Sequence, residues 1–140
     1  MNTERFNRAI TKLVKAFFEN DLAAADCRKC AVGNMCDGEG VWSNVFVTGI
    51  EGQVINEDQY IGLAKEIIDK TGYSWQELAR IEKTFEENTA LSWSDYFWCN
   101  KSEIMEDQYN GLMAVVDVLC EIEGFDEEVT NETKKLFVAT

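Results

Sequence analysis

The sequence predicts an all-α protein, a bundle of four to five helices with residues 1–140 in a single helical domain. Apolar residues recur every three or four positions in several segments, which is the spacing of one helix face. Gly72 and Gly124 each follow such a segment, where glycine is favoured after a helix. Ser74 and Glu77 match a capping box, which marks a helix start. A chain of 140 residues, 46% of them hydrophobic, has the length of one domain with its own core.

The first predicted helix covers about residues 3–22 and is amphipathic. Thr3 is a suitable N-cap, and Glu4 is favourable in the first turn because of the helix dipole. Its apolar stripe comprises Phe6, Ile10, Leu13, Val14, Phe17 and Phe18. The basic residues that lie mostly off this stripe are Arg5, Arg8, Lys12 and Lys15.

Two helical hairpins are predicted to follow. Hairpin A covers about residues 56–88, with N-caps at Asn56 and Ser74 and Gly72 in a left-handed conformation between its helices. Hairpin B covers about residues 102–137, with Gly124 before the last helix. The side chains expected to be buried in the hairpins are Tyr60, Leu63, Ala64, Ile67, Ile68, Leu78, Ile81, Phe85, Met105, Tyr109, Leu112, Val116, Leu119, Cys120, Val129, Leu136 and Phe137.

The two hairpins share a sequence repeat. Residues 55–63 and 104–112 are identical at seven of nine positions, at an offset of 49. In each hairpin a glycine ends the helix, an aromatic residue follows and another helix begins, which predicts a duplicated helical hairpin. The shared Glu-Asp-Gln-Tyr segment favours helix capping with a buried tyrosine. Paired acidic sites for a cation or a basic partner are the alternative, although neither copy has the ligand spacing of an EF-hand.

Two connections separate the predicted helices. The first, residues 33–54, is long and contains five glycines. The second, residues 89–102, holds Trp93, Tyr96, Phe97 and Trp98. If exposed, Trp93, Tyr96 and Trp98 would form a partner-binding site, because Trp and Tyr bury a large area at little entropic cost. If buried, the cluster would plug one end of the bundle, which is the interpretation that the sequence favours.

The most distinctive cluster is formed by Cys27, Cys30 and Cys36, with the spacing C-x2-C-x5-C. Thiolates at this spacing are typical zinc ligands, and a fourth ligand would have to be Cys99 or a nearby aspartate. A thioredoxin-type redox pair is a second possibility, although no βαβ unit is predicted around it. The third is that these cysteines are small apolar side chains packed on the core. Packing is favoured, so no cofactor is expected, and zinc at the three cysteines stays the alternative.

Residues 27–34, with the sequence C-R-K-C-A-V-G-N, resemble a marker of uncharacterised small proteins of Bacteroidetes and their phages. Residues 71–74 and 111–119 are similar to other parts of that group. The resemblance implies a bacterial or phage origin and supplies no activity. The group is not expected to have a third cysteine at the position of Cys36, and this departure counts against a three-cysteine metal site.

Charge and composition exclude several classes of protein. Thirteen basic and 26 acidic residues give a net charge of −13, which disfavours direct binding to nucleic acid. Residues 1–36 sum to +2 and residues 37–140 to −15. The absence of histidine excludes Ser-His-Asp triads and Cys-His dyads. With no signal-peptide pattern, no apolar run of spanning length and an odd number of cysteines, the chain is expected to be cytoplasmic and without membrane contact.

These observations predict a non-enzymatic, acidic interaction protein that engages a host protein through its acidic surface. Its carboxylates would stand where that partner expects phosphates. The alternative is an enzyme or small-molecule sensor that uses carboxylates or thiols in a pocket. The sequence leaves the oligomeric state open.

Overall fold

The computed structural model describes residues 3–22, 30–36, 65–91 and 94–138. Helices account for 80% of these residues, and no strand occurs among them, so the predicted all-α class is confirmed. In chain order they are α1 (Thr3–Phe18), α2 (Ala31–Met35), α3 (65–71), α4 (Trp75–Glu87), a 3-10 turn (Ser94–Phe97), α5 (Lys101–Glu123), α6 (Glu127–Lys134) and a second 3-10 turn (Lys135–Phe137).

The helix α1 ends four residues before the predicted boundary. Asn20 has a φ of 59°, a left-handed conformation that asparagine tolerates. The amide of Asp21 donates to the carbonyl of Ala16 at 2.8 Å, and the amide of Asn20 donates to the carbonyl of Phe17 at 3.2 Å. These two bonds form a Schellman motif, which terminates the helix at Phe18. Leu22, placed in the helix by the sequence, is instead buried in the segment beyond it.

The corner between α3 and α4 follows the sequence prediction closely. Gly72 has a φ of 80°, as expected for the residue that ends a helix. The amide of Ser74 donates to the Glu77 carboxylate at 2.9 Å, and the amide of Glu77 donates to the Ser74 hydroxyl at 3.2 Å, so the capping box is confirmed. The predicted end of α4 is also confirmed, with Asn88 as its C-cap.

Arg5 connects α1 to this corner and to the end of α5. Its Nε donates to the Glu123 carboxylate at 2.6 Å, and its Nη1 donates to the Gly72 carbonyl at 2.9 Å. Its Cζ lies 4.4 Å from the centroid of the Tyr73 ring, within the range of a cation–π interaction. Burial alone would lower the pKa of Arg5, but the carboxylates of Glu123 and Glu77 raise it. We call Arg5, Tyr73, Glu77 and Glu123 the Arg5 centre.

The long helix α5 packs against α1, α4 and α6. It begins after the N-cap Asn100, slightly earlier than predicted, and ends as predicted at Gly124, whose φ is 75°. Its buried face differs from the predicted stripe, because Asp107 and Gln108 are buried and Tyr109 is only partly buried. The reason is that both polar side chains have backbone partners inside the fold, which are described below.

Four side chains on the predicted apolar stripes are exposed: Phe18, Ile68, Val129 and Leu136. Ile67 occupies the buried position on α3. Ile68 is rotated from it by about 100° around the helix axis, which turns it towards solvent. At the C-terminal end Phe137 fills the core, with its ring 6.1 Å from that of Phe17. Val129 and Leu136 instead line an open groove of about 420 Å³ beside Thr133.

Several predictions lie outside the described residues. They concern the start of hairpin A, the first copy of the repeat and most of the glycine-rich connection, and these stay predictions. In the four described segments, none of the helices combines the length and the apolar character needed to cross a bilayer.

Candidate protein-binding surface

The connection between α4 and α5 contains a tight aromatic turn. Residues 94–97 form a 3-10 turn, and the amides of Trp98 and Cys99 both donate to the carbonyl of Asp95 at 3.0 Å. We call residues 95–99 the aromatic turn. Because a 3-10 turn advances about three residues per turn, its successive aromatic side chains point in different directions.

The aromatic side chains of the turn differ sharply in exposure. Trp98 is 87% exposed and Phe97 is 75% exposed. Tyr96 is half-buried, and the side-chain amide of Gln108 donates to its hydroxyl at 3.4 Å. The interpretation of these residues as a buried plug is therefore wrong for Phe97 and Trp98. Of the predicted site residues, Tyr96 and Trp98 lie on one turn, whereas Trp93 lies outside the described residues.

Carboxylates lie near Cys99, the last residue of the aromatic turn. The pKa of the Cys99 thiol is raised by desolvation and by the negative charges of Glu103, Asp95 and Asp107, and Glu103 also hydrogen-bonds the thiol. A shallow groove of about 200 Å³ shares Glu103 and Asp107 with this group of carboxylates, and its other lining residues are Leu91, Glu106 and Asn110. These carboxylates therefore act on Cys99, the residue that follows the exposed indole of Trp98.

The second copy of the repeated segment, in α5, forms hydrogen bonds with the backbone of two connecting segments. The Asp107 carboxylate accepts hydrogen bonds from the amides of Ala90 at 2.6 Å and Leu91 at 3.1 Å. The Gln108 side chain donates to the carbonyl of Leu22. For this second copy the prediction of helix capping is wrong, because residues 106–109 lie in the second turn of α5. Asp107 and Gln108 instead bind backbone groups of two connections. The same prediction for the first copy lies outside the described residues.

Two of the three clustered cysteines are described, and both are buried. Cys30 is the N-cap of α2, and its Sγ accepts a hydrogen bond from the amide of Gly33 at 3.2 Å. Cys36 is the C-cap of the same helix. Cys27 lies outside the described residues, so zinc at Cys27, Cys30 and Cys36 stays a prediction. Within the segments described, no three side chains of the metal-ligating types converge on one point.

A buried carboxylate lies beside Cys30. Glu82 on α4 is 6% exposed, and its Oε1 accepts a hydrogen bond from the amide of Val32 at 3.4 Å. Burial raises the pKa of Glu82 to about 7, against the opposing effect of a hydrogen bond with the Cys30 side chain. Its Oε2 has no hydrogen-bond partner among the described residues. The sequence contained a signal for this group, because Glu82 follows Leu78 by four positions and so lies on the apolar stripe of α4.

Comparison with known proteins finds no family model, no curated protein and no solved structure that matches this chain. The surface must therefore be interpreted from its own chemistry, and the resemblance to proteins of Bacteroidetes and their phages stays a prediction.

Proposed function

We propose that this protein is a non-enzymatic interaction protein whose aromatic turn and acidic surroundings bind a basic surface on another protein. The observation that carries the proposal is Trp98, which is 87% exposed on the turn that leads into α5, whose first two turns carry the exposed Glu103 and Glu106. An exposed indole of this kind is unfavourable in water and gains a large buried area on binding, with few torsions to fix. The carboxylates around it favour a partner with lysine and arginine at the rim of its binding site.

The overall charge supports the same partner class. A net charge of −13 attracts basic surfaces over distances of about 10 Å at 0.1 M salt and raises the rate of encounter. The same charge repels nucleic acid. We therefore propose that the partner has a surface that normally binds phosphate groups. Carboxylates of this chain bind to that surface instead.

The proposal extends to origin and organisation. A bacterial or phage origin is supported by the segment at residues 27–34, and a host protein is then the natural partner. A cytoplasmic location is supported by the odd number of cysteines. A duplicated hairpin is supported by the repeat at residues 55–63 and 104–112, and by Gly72 and Gly124, each of which ends a helix downstream of its copy.

The proposal is tested with immobilised protein and a bacterial lysate. Wild type, Trp98→Ala and the control Leu136→Ala are compared at low and high salt, since Leu136 is exposed in a different groove, beside Val129 and Thr133. We expect wild type and Leu136→Ala to capture the same proteins at low salt, and Trp98→Ala to lose them. The association rate of the captured partner with purified wild type should then fall steeply with salt. Capture that is unchanged in Trp98→Ala, or insensitive to salt, would contradict the proposal.

A thiol-based sensor or enzyme is the second candidate, and the Glu82–Cys30 pair is the observation that favours it. Buried carboxylates with a pKa near neutrality are frequent at functional sites. Alkylation of the native protein, followed by mass spectrometry between pH 6 and 8, tests this candidate. Reaction of Cys30 that is faster than global unfolding and is changed in Glu82→Gln would support it. Reaction only upon unfolding would eliminate it.

A further inference from the structure

The Arg5 centre shows how this fold binds a guanidinium group. The guanidinium lies over the face of the Tyr73 ring, with Cζ 4.4 Å from the ring centroid. The Glu123 carboxylate binds its edge, and Glu77 lies 3.6 Å from Nη1. An aromatic face and two carboxylates are thus the components of the centre, and the cation is supplied from another helix.

The aromatic turn has the same components on the surface. Trp98 presents an exposed indole, and indole is the aromatic group with the strongest cation–π attraction. Glu103 and Glu106 are exposed on the adjoining turns of α5, and no ion pair involves either of them within the described parts of the chain. Residues 95–107 contain four acidic residues and a single lysine, so the local charge is negative.

We infer that the aromatic turn recognises an arginine side chain of the partner, stacked on the Trp98 indole and paired with Glu103 or Glu106. This inference rests on the proposed function and names the group that the surface selects. Arginine is favoured over lysine because its planar guanidinium stacks on an aromatic face while its edge donates two hydrogen bonds to a carboxylate. Lysine supplies the same charge without the flat face or the fork of donors.

The charge of the region also argues against a purely apolar anchor from the partner. An aliphatic side chain would cover the Trp98 ring and leave Glu103 and Glu106 facing a desolvated rim without a counter-charge, which is unfavourable. A guanidinium group can stack on the indole ring and form charge-assisted hydrogen bonds with the carboxylates at the same time. An apolar anchor and a lysine are therefore the two competing outcomes of the experiment.

The probe is a pair of nine-residue peptides that carry three arginines or three lysines among glycines and serines. Binding to ¹⁵N-labelled protein is followed by NMR, and the indole resonance of Trp98 is identified from its loss in Trp98→Phe. We expect the arginine peptide to shift this resonance and to bind at least about threefold more tightly than the lysine peptide. Trp98→Leu, which keeps an apolar side chain without a π face, should remove the preference while weak charge-driven binding remains.

Glu106→Gln tests the carboxylate, with Glu128→Gln on α6 as the control that removes the same charge elsewhere. We expect Glu106→Gln to weaken binding of the arginine peptide by about two- to fivefold, since a charge-assisted hydrogen bond is lost. Glu128→Gln should have a smaller effect. Thermal melting of each variant confirms that it is folded.

Three results would overturn the inference: equal affinity for the two peptides, a preference for arginine that survives in Trp98→Leu, or no shift at Trp98. These results are distinguishable from failure of the proposed function. If Trp98→Ala abolishes partner capture while the arginine preference is absent, the turn binds a partner by another contact. If Trp98→Ala captures every partner that wild type captures, the proposed function itself fails.

Discussion

The Arg5 centre and the aromatic turn are built from similar side chains and differ in what covers them. In the Arg5 centre the Glu123 side chain is fully buried, the Tyr73 side chain is also buried, and Arg5 neutralises the carboxylate within the same chain. At the aromatic turn Trp98 faces solvent, as do Glu103 and Glu106 on the helix that follows. The same kinds of side chain are therefore paired within the fold in one region and exposed to solvent in the other. The difference predicts that substitutions in the first region change stability, whereas those in the second change binding.

The largest expected effect is that of Arg5→Met. The substitution keeps much of the apolar stem but leaves the Glu123 carboxylate buried without its counter-charge. We expect the free energy of unfolding to fall by about 3–5 kcal/mol, measured by urea denaturation. The control is Arg80→Met, which breaks the exposed ion pair with Glu121 and should cost less than about 1 kcal/mol. Similar losses for the two variants would mean that the Arg5 centre contributes no more than a surface pair.

A comparison of two glycines isolates the packing around Arg5. Gly72 and Gly124 have φ values of 80° and 75°, so alanine at either position costs about 1–2 kcal/mol of backbone strain. A Cβ at Gly72 would lie 2.7 Å from the Cβ of Arg5, whereas a Cβ at Gly124 would meet nothing within 4 Å. Gly72→Ala should therefore destabilise the fold by at least about 1 kcal/mol more than Gly124→Ala. Equal losses in urea denaturation would contradict this account of the corner.

Glu82→Gln is expected to change how stability depends on pH. Below about pH 4.5 the Glu82 carboxyl is neutral in the folded and unfolded states and does not affect their balance. Because its pKa is raised to about 7 in the folded protein, the unfolded state releases its proton first, and stability falls as the pH rises from 4.5 to 7. The variant avoids this loss, so its stability relative to wild type should increase by about 1–3 kcal/mol between pH 4.5 and 8.

Glu87→Gln, on the exposed side of the same helix, is the control for this measurement. The gain in relative stability between pH 4.5 and 8 should be larger for Glu82→Gln than for this control, because Glu82 is buried and Glu87 is exposed. If Glu82→Gln and Glu87→Gln respond to pH alike, the buried carboxyl group does not titrate as described.

The smallest effect on stability is expected for Trp98→Ala. Because Trp98 is 87% exposed, its removal should change the free energy of unfolding by less than about 0.5 kcal/mol. Tyr73→Ala, in the buried counterpart, should cost about 3–5 kcal/mol. A substantial destabilisation by Trp98→Ala in urea denaturation would show that the indole packs against the fold, and the contrast between the two regions would then be lost.

Sequence signals that act within one or two helical turns predicted the fold well. The capping box at Ser74 and the left-handed glycines at positions 72 and 124 depend only on nearby backbone groups, and the structure confirms them. The end of α1 was misplaced because Asn20 can occupy either a helical or a left-handed conformation. Its neighbours do not decide between them, and the burial of Leu22 beyond the turn depends on contacts made far along the chain.

The candidate site was less predictable for the same reason. The aromatic cluster is evident in the sequence, but whether Trp98 is a plug or a surface group depends on how α5 leaves the turn. Glu82 lies on an apolar stripe, where a buried carboxyl group is unfavourable without a hydrogen-bond partner. That partner is the amide of Val32 on α2, some fifty residues away in the sequence. Periodicity shows which face of a helix is buried, and it does not show which buried polar groups find partners.

The two buried polar side chains of α5 have a consequence for the uniqueness of the native state. Partly buried apolar residues flank the core face of this helix, including Met105, Tyr109 and Met113, so apolar burial alone would tolerate a rotation about its axis. A shift of one residue turns the helix by about 100° and would separate Asp107 from the amides of Ala90 and Leu91. Each buried group left without a partner costs roughly 1–3 kcal/mol. The hydrogen bonds of Asp107 and Gln108 can therefore form at only one rotation of α5 about its axis. That rotation also determines the direction in which the aromatic turn faces.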